Sequence, residues 1–254
     1  MLDYGKEAVR YDASRGGEPR AVAAADAVLS LLPRGTGAPP SGTGALLDVA
    51  CGTGLVTRCL AERPGLRVVG VDAAPAMARM AASRVPGAIV LGDSRRLPFR
   101  DGTFDAASAV WLLHLLSDPD EAAAVVGECA RVLRPGGVLV TTVDKAAAHD
   151  VGSDIDAVLA GRPVRSPVDG ADRVEQYATA YGLTRAGRTR FRGHGQGRSP
   201  RSTVEDLRRG WFTSVPPDSP MADRFARRLA ELPDQEVCRP DPQFTLLAFR
   251  KPLG

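Results

Sequence analysis

The chain has 254 residues, 44% of them hydrophobic, and its 33 basic and 30 acidic side chains leave a net charge of +3. That is enough apolar material for a sizeable core in one large or two small domains. No apolar run reaches the roughly 20 residues of a membrane helix, and the first residues, Met-Leu-Asp-Tyr-Gly-Lys-Glu, lack the apolar core of an export signal. The expectation is a cytoplasmic protein with no membrane association. Cys51, Cys59, Cys129 and Cys238 show no metal-ligand spacing and no Cys-x-x-Cys pair, so they read as reduced and mostly buried, and no metal is expected.

Charge is uneven: residues 160–254 carry 17 basic and 11 acidic side chains, residues 1–159 carry 16 and 19. Lys6, Lys145 and Lys251 are the lysines; all other basic residues are arginine, alongside abundant alanine, glycine and proline. On composition alone this reads as a high-GC coding bias, with an actinobacterial origin the expectation, and it weakens the functional reading of any single arginine.

Tyr4 to Leu32 reads as an N-terminal arm and a helix, the helix running over Ala21–Leu32 with Val22, Leu29 and Leu32 as anchors. A Pro/Gly/Ser-rich connection closes this first segment, 1–44. Residues 45–144 then alternate strand and helix, which predicts an α/β fold with a doubly wound, mostly parallel sheet. Leu46, Leu47, Val49 and Ala50 suit a strand buried on both faces. Cys51-Gly52-Thr53-Gly54 turns the chain into a helix marked by Leu55, Val56, Cys59 and Leu60. Gly52 and Gly54 allow a tight turn and close approach of a ligand to the backbone.

A Gly-x-Gly turn after a strand is a generic nucleotide signal. The dinucleotide fingerprint needs a third glycine where this chain has Thr57, and a phosphate-binding Walker loop needs a Gly-Lys-Ser/Thr ending that is absent. Asp48 at the mouth of the turn would repel a pyrophosphate. The cofactor therefore has no phosphate there and carries positive charge. S-adenosylmethionine, with its sulfonium and α-amino group, meets both demands.

Asp48-Val-Ala-Cys-Gly-Thr-Gly54 resembles motif I of the class I S-adenosylmethionine-dependent methyltransferases. Later segments agree in order: Arg67–Asp72 as a strand ending in an acid, Ala88–Asp93 as another, Leu97-Pro-Phe99 with Phe104-Asp-Ala, then Arg131–Val140 as helix end, turn and strand. The resemblance is close over about 45–143 and weaker over Tyr4–Arg15. It implies a seven-stranded Rossmann-like sheet with its last strand antiparallel, and C-terminal lid insertions. In that family the first acid takes the ribose hydroxyls, here Asp72, and the second faces adenine, here Asp93 with Ser94 beside it. The cofactor set implied is Tyr11, Arg15, Asp48, Ala50, Cys51, Gly52, Gly54, Asp72, Ala73, Met77, Gly92, Asp93, Ser94, Val110 and Trp111. Arg15 would pair with the methionine carboxylate.

His114 is the candidate catalytic base, one turn beyond Trp111, in a pKa range that suits a hydroxyl or amine acceptor; a histidine braced within the core is the other reading. Trp111 reads equally as cofactor contact or core. Tyr4, Tyr177, His194 and Trp211 are candidates for the acceptor pocket, against ordinary core or surface placement. In the C-terminal part, 145–254, strands are expected at Leu183–Arg192 and Gln243–Arg250, and helices at Asp169–Tyr181, Val204–Phe212 and Met221–Leu232. Arg185 to Arg201 is a basic stretch without acids, read as a charged edge strand or as an RNA contact.

The motif after the fourth strand, Val110-Trp-Leu-Leu-His114, matches neither the Asn/Asp-Pro-Pro-Tyr of amino-methyltransferases nor the Pro-Cys of cytosine enzymes. The resemblance therefore implies a quinone-type or secondary-metabolite enzyme that methylates oxygen, nitrogen or carbon of a small-molecule biosynthetic intermediate and leaves S-adenosylhomocysteine. Nucleic acid is the disfavoured partner, and a monomer or homodimer is equally compatible. The rival readings are an RNA methyltransferase and a cofactor-binding protein that transfers no methyl group.

Overall fold

The computed structural model describes residues 12, 15–33, 44–163, 167–212 and 214–253. Tyr4, Tyr11 and nearly all of the 34–44 connection lie outside them.

Seven strands form one sheet: β1 (Gly44–Val49), β2 (Leu66–Asp72), β3 (Ile89–Leu91), β4 (Phe104–Ala109), β5 (Leu133–Val143), β6 (Thr184–Arg192) and β7 (Gln243–Arg250). Their order is β3-β2-β1-β4-β5-β7-β6. β1 to β5 are parallel, and β7 is antiparallel to both β5 and β6, as the resemblance implies. The order reverses between β1 and β4, and ligands on such sheets bind at that switch point, beyond the carboxyl ends of the strands.

The two faces follow the side-chain alternation of the strands. Leu46, Val138, Val140, Leu246 and Ala248 pack with α1 (Gly17–Ser30) and α2 (Leu55–Ala61). Leu47, Val49, Leu139, Leu247 and Phe249 pack with α4 (Pro119–Val132) and α6 (Ala171–Ala180). α3 (Pro75–Arg84) buries Met77, Ala78 and Ala81. A third core joins α5 (Asp154–Leu159), α7 (Pro200–Arg208) and α8 (Pro220–Ala230) through Ile155, Leu159, Leu207, Phe225 and Leu229.

Several local readings change. α1 buries Ala21, Ala24, Ala25, Ala27 and Val28, while Val22 is 42% exposed: Ala21, Ala24, Ala25 and Val28, spaced i, i+3, i+4, i+7, form the packed face. α7 starts earlier than Val204 because Ser199, just ahead of Pro200, forms a reciprocal cap with Ser202 in the first turn, and Gly210, at φ +72°, follows its end. The cysteines divide: Cys51 and Cys129 are buried, Cys59 is half-buried and Cys238 is exposed, all four as free thiols. Among the described residues no helix is long and apolar enough to cross a membrane.

Candidate functional site

Three adjacent parallel strands end in a residue whose backbone is left-handed although it is not glycine. These are Ala50 after β1 (φ +56°), Trp111 beyond β4 (φ +57°) and Asp144 after β5 (φ +52°). Such a conformation is costly for a bulky side chain, and it recurs at functional sites. Here it marks the exits of three strands that are neighbours in the sheet, two of which, β1 and β4, flank the switch point.

The turn after β1 is held from below. Asp48 is buried, and its two carboxylate oxygens accept hydrogen bonds from the Thr57 hydroxyl at 2.7 Å and the Ser108 hydroxyl at 2.8 Å. The acid expected at the mouth of the turn instead ties β1 to α2 and β4. Thr57, which stands where a dinucleotide site has glycine, supplies one of these bonds. Burial pushes the Asp48 carboxyl up to about 6, against the pull of the two hydroxyls. The Cys51 thiol is also raised by burial, so it stays protonated and unreactive; its sulfur lies 3.0 Å from where a Cβ on Gly70 would sit.

The two motif glycines do different things. A Cβ on Gly52 (φ +57°) would meet nothing within 4 Å, so this glycine borders open space. A Cβ on Gly54 (φ +80°) would lie 2.7 Å from the Ala81 Cα, so this one lets α2 approach α3. Asp72, at the end of β2, accepts the Gly52 N–H and the Ala74 N–H, each at 2.8 Å. A carboxylate has about four lone-pair sites, so two remain for ribose hydroxyls. Ala73 is exposed beside it, whereas Met77 is buried in α3.

Asp93 follows β3. It accepts the Arg95 backbone N–H at 2.9 Å and the guanidinium at 2.8 Å, which lowers its pKa, and Arg95 also reaches Glu121. Sequence reasoning missed Arg95, two residues from the acid it holds. Gly92 packs so closely that a Cβ would lie 3.1 Å from Val71 and 3.2 Å from Pro98, and Ser94 is half-buried.

Val110 is buried in the α1-side core. The Trp111 N–H donates to the Thr142 hydroxyl at 3.0 Å, and its ring lies edge-on to Phe191 and Phe244, at 5.5 Å and 5.6 Å. The Arg20 guanidinium sits 4.0 Å above that ring. The indole Nε1 is buried with no hydrogen-bond partner among the described residues. His114 lies in a short 3-10 turn, Leu113–Leu115. Burial first, then Lys145, Arg15, His149 and Arg20, hold its pKa well below the usual imidazole range.

The arm reaches this place. Asp12 accepts the Thr53 hydroxyl at 2.6 Å and pairs with Arg84 at 2.6 Å, and Arg84 also donates to the Thr53 carbonyl. Arg15 stacks 4.4 Å from the Trp211 ring. A Cβ on Gly16 would fall 1.8 Å from the His194 carbonyl oxygen, so the arm and the 193–197 loop touch backbone to backbone. Arg15, Trp211 and His194 are thus brought together. Tyr177 is not with them: it packs on the α4–α6 side, near Arg173, Asp118 and Asp120. Among the described residues no group of three or more His, Cys, Asp or Glu could hold a metal.

Comparison with known proteins bears on the same segment. Residues 47–141 match the family model described as a methyltransferase domain. Over 101 residues the chain is 40% identical to a demethylmenaquinone methyltransferase of Thermus thermophilus, covering 37% of this chain and 44% of that one. It is 34% identical over 106 residues to a 2-methyl-6-phytyl-1,4-hydroquinone methyltransferase of Synechocystis sp., covering 40% and 32%. The matches span less than half the length of these relatives. Two solved structures share the fold. The [4+2]-cyclase SpnF has a TM-score of 0.62 at 20% identity, covering 99% of this chain and 94% of that one. A geranyl diphosphate C-methyltransferase of Streptomyces coelicolor, in complex with S-adenosyl-L-homocysteine, has a TM-score of 0.52 at 15% identity, covering 90% and 75%. Residues 47–141 thus match a methyltransferase domain model, and the sheet as a whole shares the fold of these two solved structures.

Proposed function

We propose that the protein transfers a methyl group from S-adenosylmethionine to a small-molecule acceptor held over the ends of β4 and β5. The observation that carries this reading is the open space at Gly52 beside the half-used carboxylate of Asp72. A cofactor backbone can lie against the first, and ribose hydroxyls can bond the second. Asp93 would face the adenine, with Arg95 fixing its carboxylate, and the Ala50–Gly54 backbone would take the methionine end. When bound, the cofactor supplies a methyl group already activated by the sulfonium, so the protein's work is to align an acceptor lone pair and exclude water.

Burial keeps His114 neutral at physiological pH, so it is free to accept a proton, but the same lowering makes it a weaker base than the ordinary imidazole expected from the sequence. The named relatives act on a demethylmenaquinone and a hydroquinone, but they match this chain over less than half of it, so a quinol is one acceptor to try among several. RNA fits less well. Arg185, Arg192 and Arg201 are engaged by Glu175, Asp241 and Glu236, pairs that a phosphate backbone would have to displace.

Titration calorimetry with S-adenosylhomocysteine tests the cofactor site. Asp72→Ala is expected to weaken binding at least tenfold, and an unchanged affinity would remove that residue's role. With an acceptor in hand, His114→Ala should lower kcat at saturating substrate, and near wild-type turnover would rule it out as the base.

A further inference from the structure

Gly193-His-Gly-Gln-Gly197 leads from β6 towards α7, and each of its three glycines brings the backbone against a different neighbour. A Cβ on Gly193 would lie 2.4 Å from the Phe244 ring, one on Gly195 3.1 Å from the Gly16 Cα, and one on Gly197 2.2 Å from the Arg239 carbonyl oxygen. The loop is therefore wedged between the arm and the segment that enters β7. Contacts this close need the loop to be held in place, because a glycine-rich segment has the most conformational freedom to lose.

One carboxylate holds it from the β7 side. Asp241 Oδ1 accepts the Gln196 N–H and the Gly197 N–H, each at 2.9 Å, and Oδ2 accepts the Arg192 Nε–H at 3.0 Å. The Asp241 side chain is 14% exposed and that of Arg192 59%, so the two backbone bonds, not the ion pair, carry most of the hold. Asp241 stands between Pro240 and Pro242. Each ring fixes its own φ and drives the residue before it to extended backbone, so the carboxylate is mounted on a stiff segment. That segment is tied to the loop at both ends: the Gly193 N–H donates to the Pro242 carbonyl and the Arg239 N–H to the Arg198 carbonyl, each at 2.8 Å.

From the loop, direct contacts run on to the cofactor turn. The His194 carbonyl and Gly195 press on Gly16. Beside Gly16, the Arg15 N–H donates to the Asp12 carbonyl at 3.2 Å, and the Asp12 carboxylate takes the hydroxyl of Thr53, which lies between the two motif glycines. Resting on the methyltransferase reading, we propose that Asp241 is a positioning residue for the cofactor: by holding the 193–197 loop against Gly16 it seats the arm on the Gly52–Gly54 turn. It acts through the loop and the arm, not by touching the cofactor.

The test uses the full-length protein, with S-adenosylhomocysteine affinity read by calorimetry and the amides of residues 15–20 followed by hydrogen exchange. Asp241→Ala should lower the affinity about fivefold, within the range of coupling through packed contacts, and speed exchange at 15–20 while β1 and β4 keep their protection. Asp241→Asn retains an Oδ1 that accepts both N–H groups, so it should stay within about twofold of wild type in affinity and leave exchange unchanged. In an Asp12→Ala background, Asp241→Ala should cost less than about twofold more, because the arm no longer grips the turn. Gly195→Ala, which drives a methyl group towards Gly16, should give the same loss from the other side of the contact should Asp241→Ala fold poorly. Unchanged affinity in Asp241→Ala, an equal loss in Asp241→Asn, or full additivity with Asp12→Ala each overturns the proposal. Failure of wild-type protein to bind S-adenosylhomocysteine overturns the methyltransferase reading instead, and exchange at 15–20 then decides alone whether Asp241 seats the arm.

Discussion

His114 and His149 share surroundings that keep both imidazoles uncharged. Burial is the main cause for each, followed by Lys145, Arg15, His149 and Arg20 around His114, and by Arg198, Lys145, Arg15 and Arg162 around His149. In the unfolded chain both take up protons as the pH falls through about 6.5, so there the unfolded state binds more protons and stability drops on acidification. Each imidazole adds a slope of at most about 1.4 kcal/mol per pH unit. Asp48 opposes them: its folded pKa of about 6 exceeds the 3.8 of an ordinary aspartate, so between those values the folded state keeps the extra proton. Asp72, Asp169 and Asp206, also raised, act in the same sense. Urea unfolding should give a lower free energy at pH 5.5 than at pH 7.5, and His149→Phe should flatten the difference; a wild-type value that rises on acidification would contradict this. The turn positions of Gly52 and Gly54 and the strand-end positions of Asp72 and Asp93 were legible in sequence, whereas the burial of Asp48 beneath the turn was not. Their partners were not: Asp12 and Arg84 lie 72 positions apart, and nothing local marks them as a pair.

The elements around the first turn separate binding from stability. Gly52 and Gly54 look alike in sequence, yet one faces open space and the other Ala81. For Gly52→Ala the cost is backbone strain, about 1–2 kcal/mol, with cofactor affinity falling more sharply than stability. Gly54→Ala adds a clash between α2 and α3 worth about 1–3 kcal/mol, so its unfolding free energy should drop further. Denaturation and S-adenosylhomocysteine calorimetry on both variants check this, and equal stability losses would remove the distinction. Most strands were readable because apolar residues on both faces repeat along β1 and β7, but β5 begins at Leu133, inside the Arg-Pro-Gly-Gly stretch that reads as a turn. Helix ends were less so: α7 was placed by its apolar residues, while its true start is set by the Ser199–Ser202 cap. The arginines of β6 read as the guard of a sheet edge, and Arg188, Arg190 and Arg192 are all exposed on an outermost strand.

At the scale of the molecule, the arm joins two places that the sheet alone would leave separate. Asp12 fastens it to the cofactor turn and Arg84, while Gly16 and Arg15 fit against the 193–197 loop and Trp211. Asp12→Ala should therefore weaken S-adenosylhomocysteine binding severalfold with a small change in melting temperature, since the pair is partly exposed; unchanged affinity would make the arm a bystander. Helices α5, α7 and α8 carry their own apolar core, separate from the two that flank the sheet. One consequence is spectroscopic. The chain has 2 tryptophans, Trp111 and Trp211, and each lies beneath an arginine from the same N-terminal stretch, Arg20 and Arg15. Tryptophan emission, excited where tyrosine does not absorb, therefore originates wholly at the candidate site, so a change of its colour or intensity reports on the arm and pocket before any global unfolding, without an added dye.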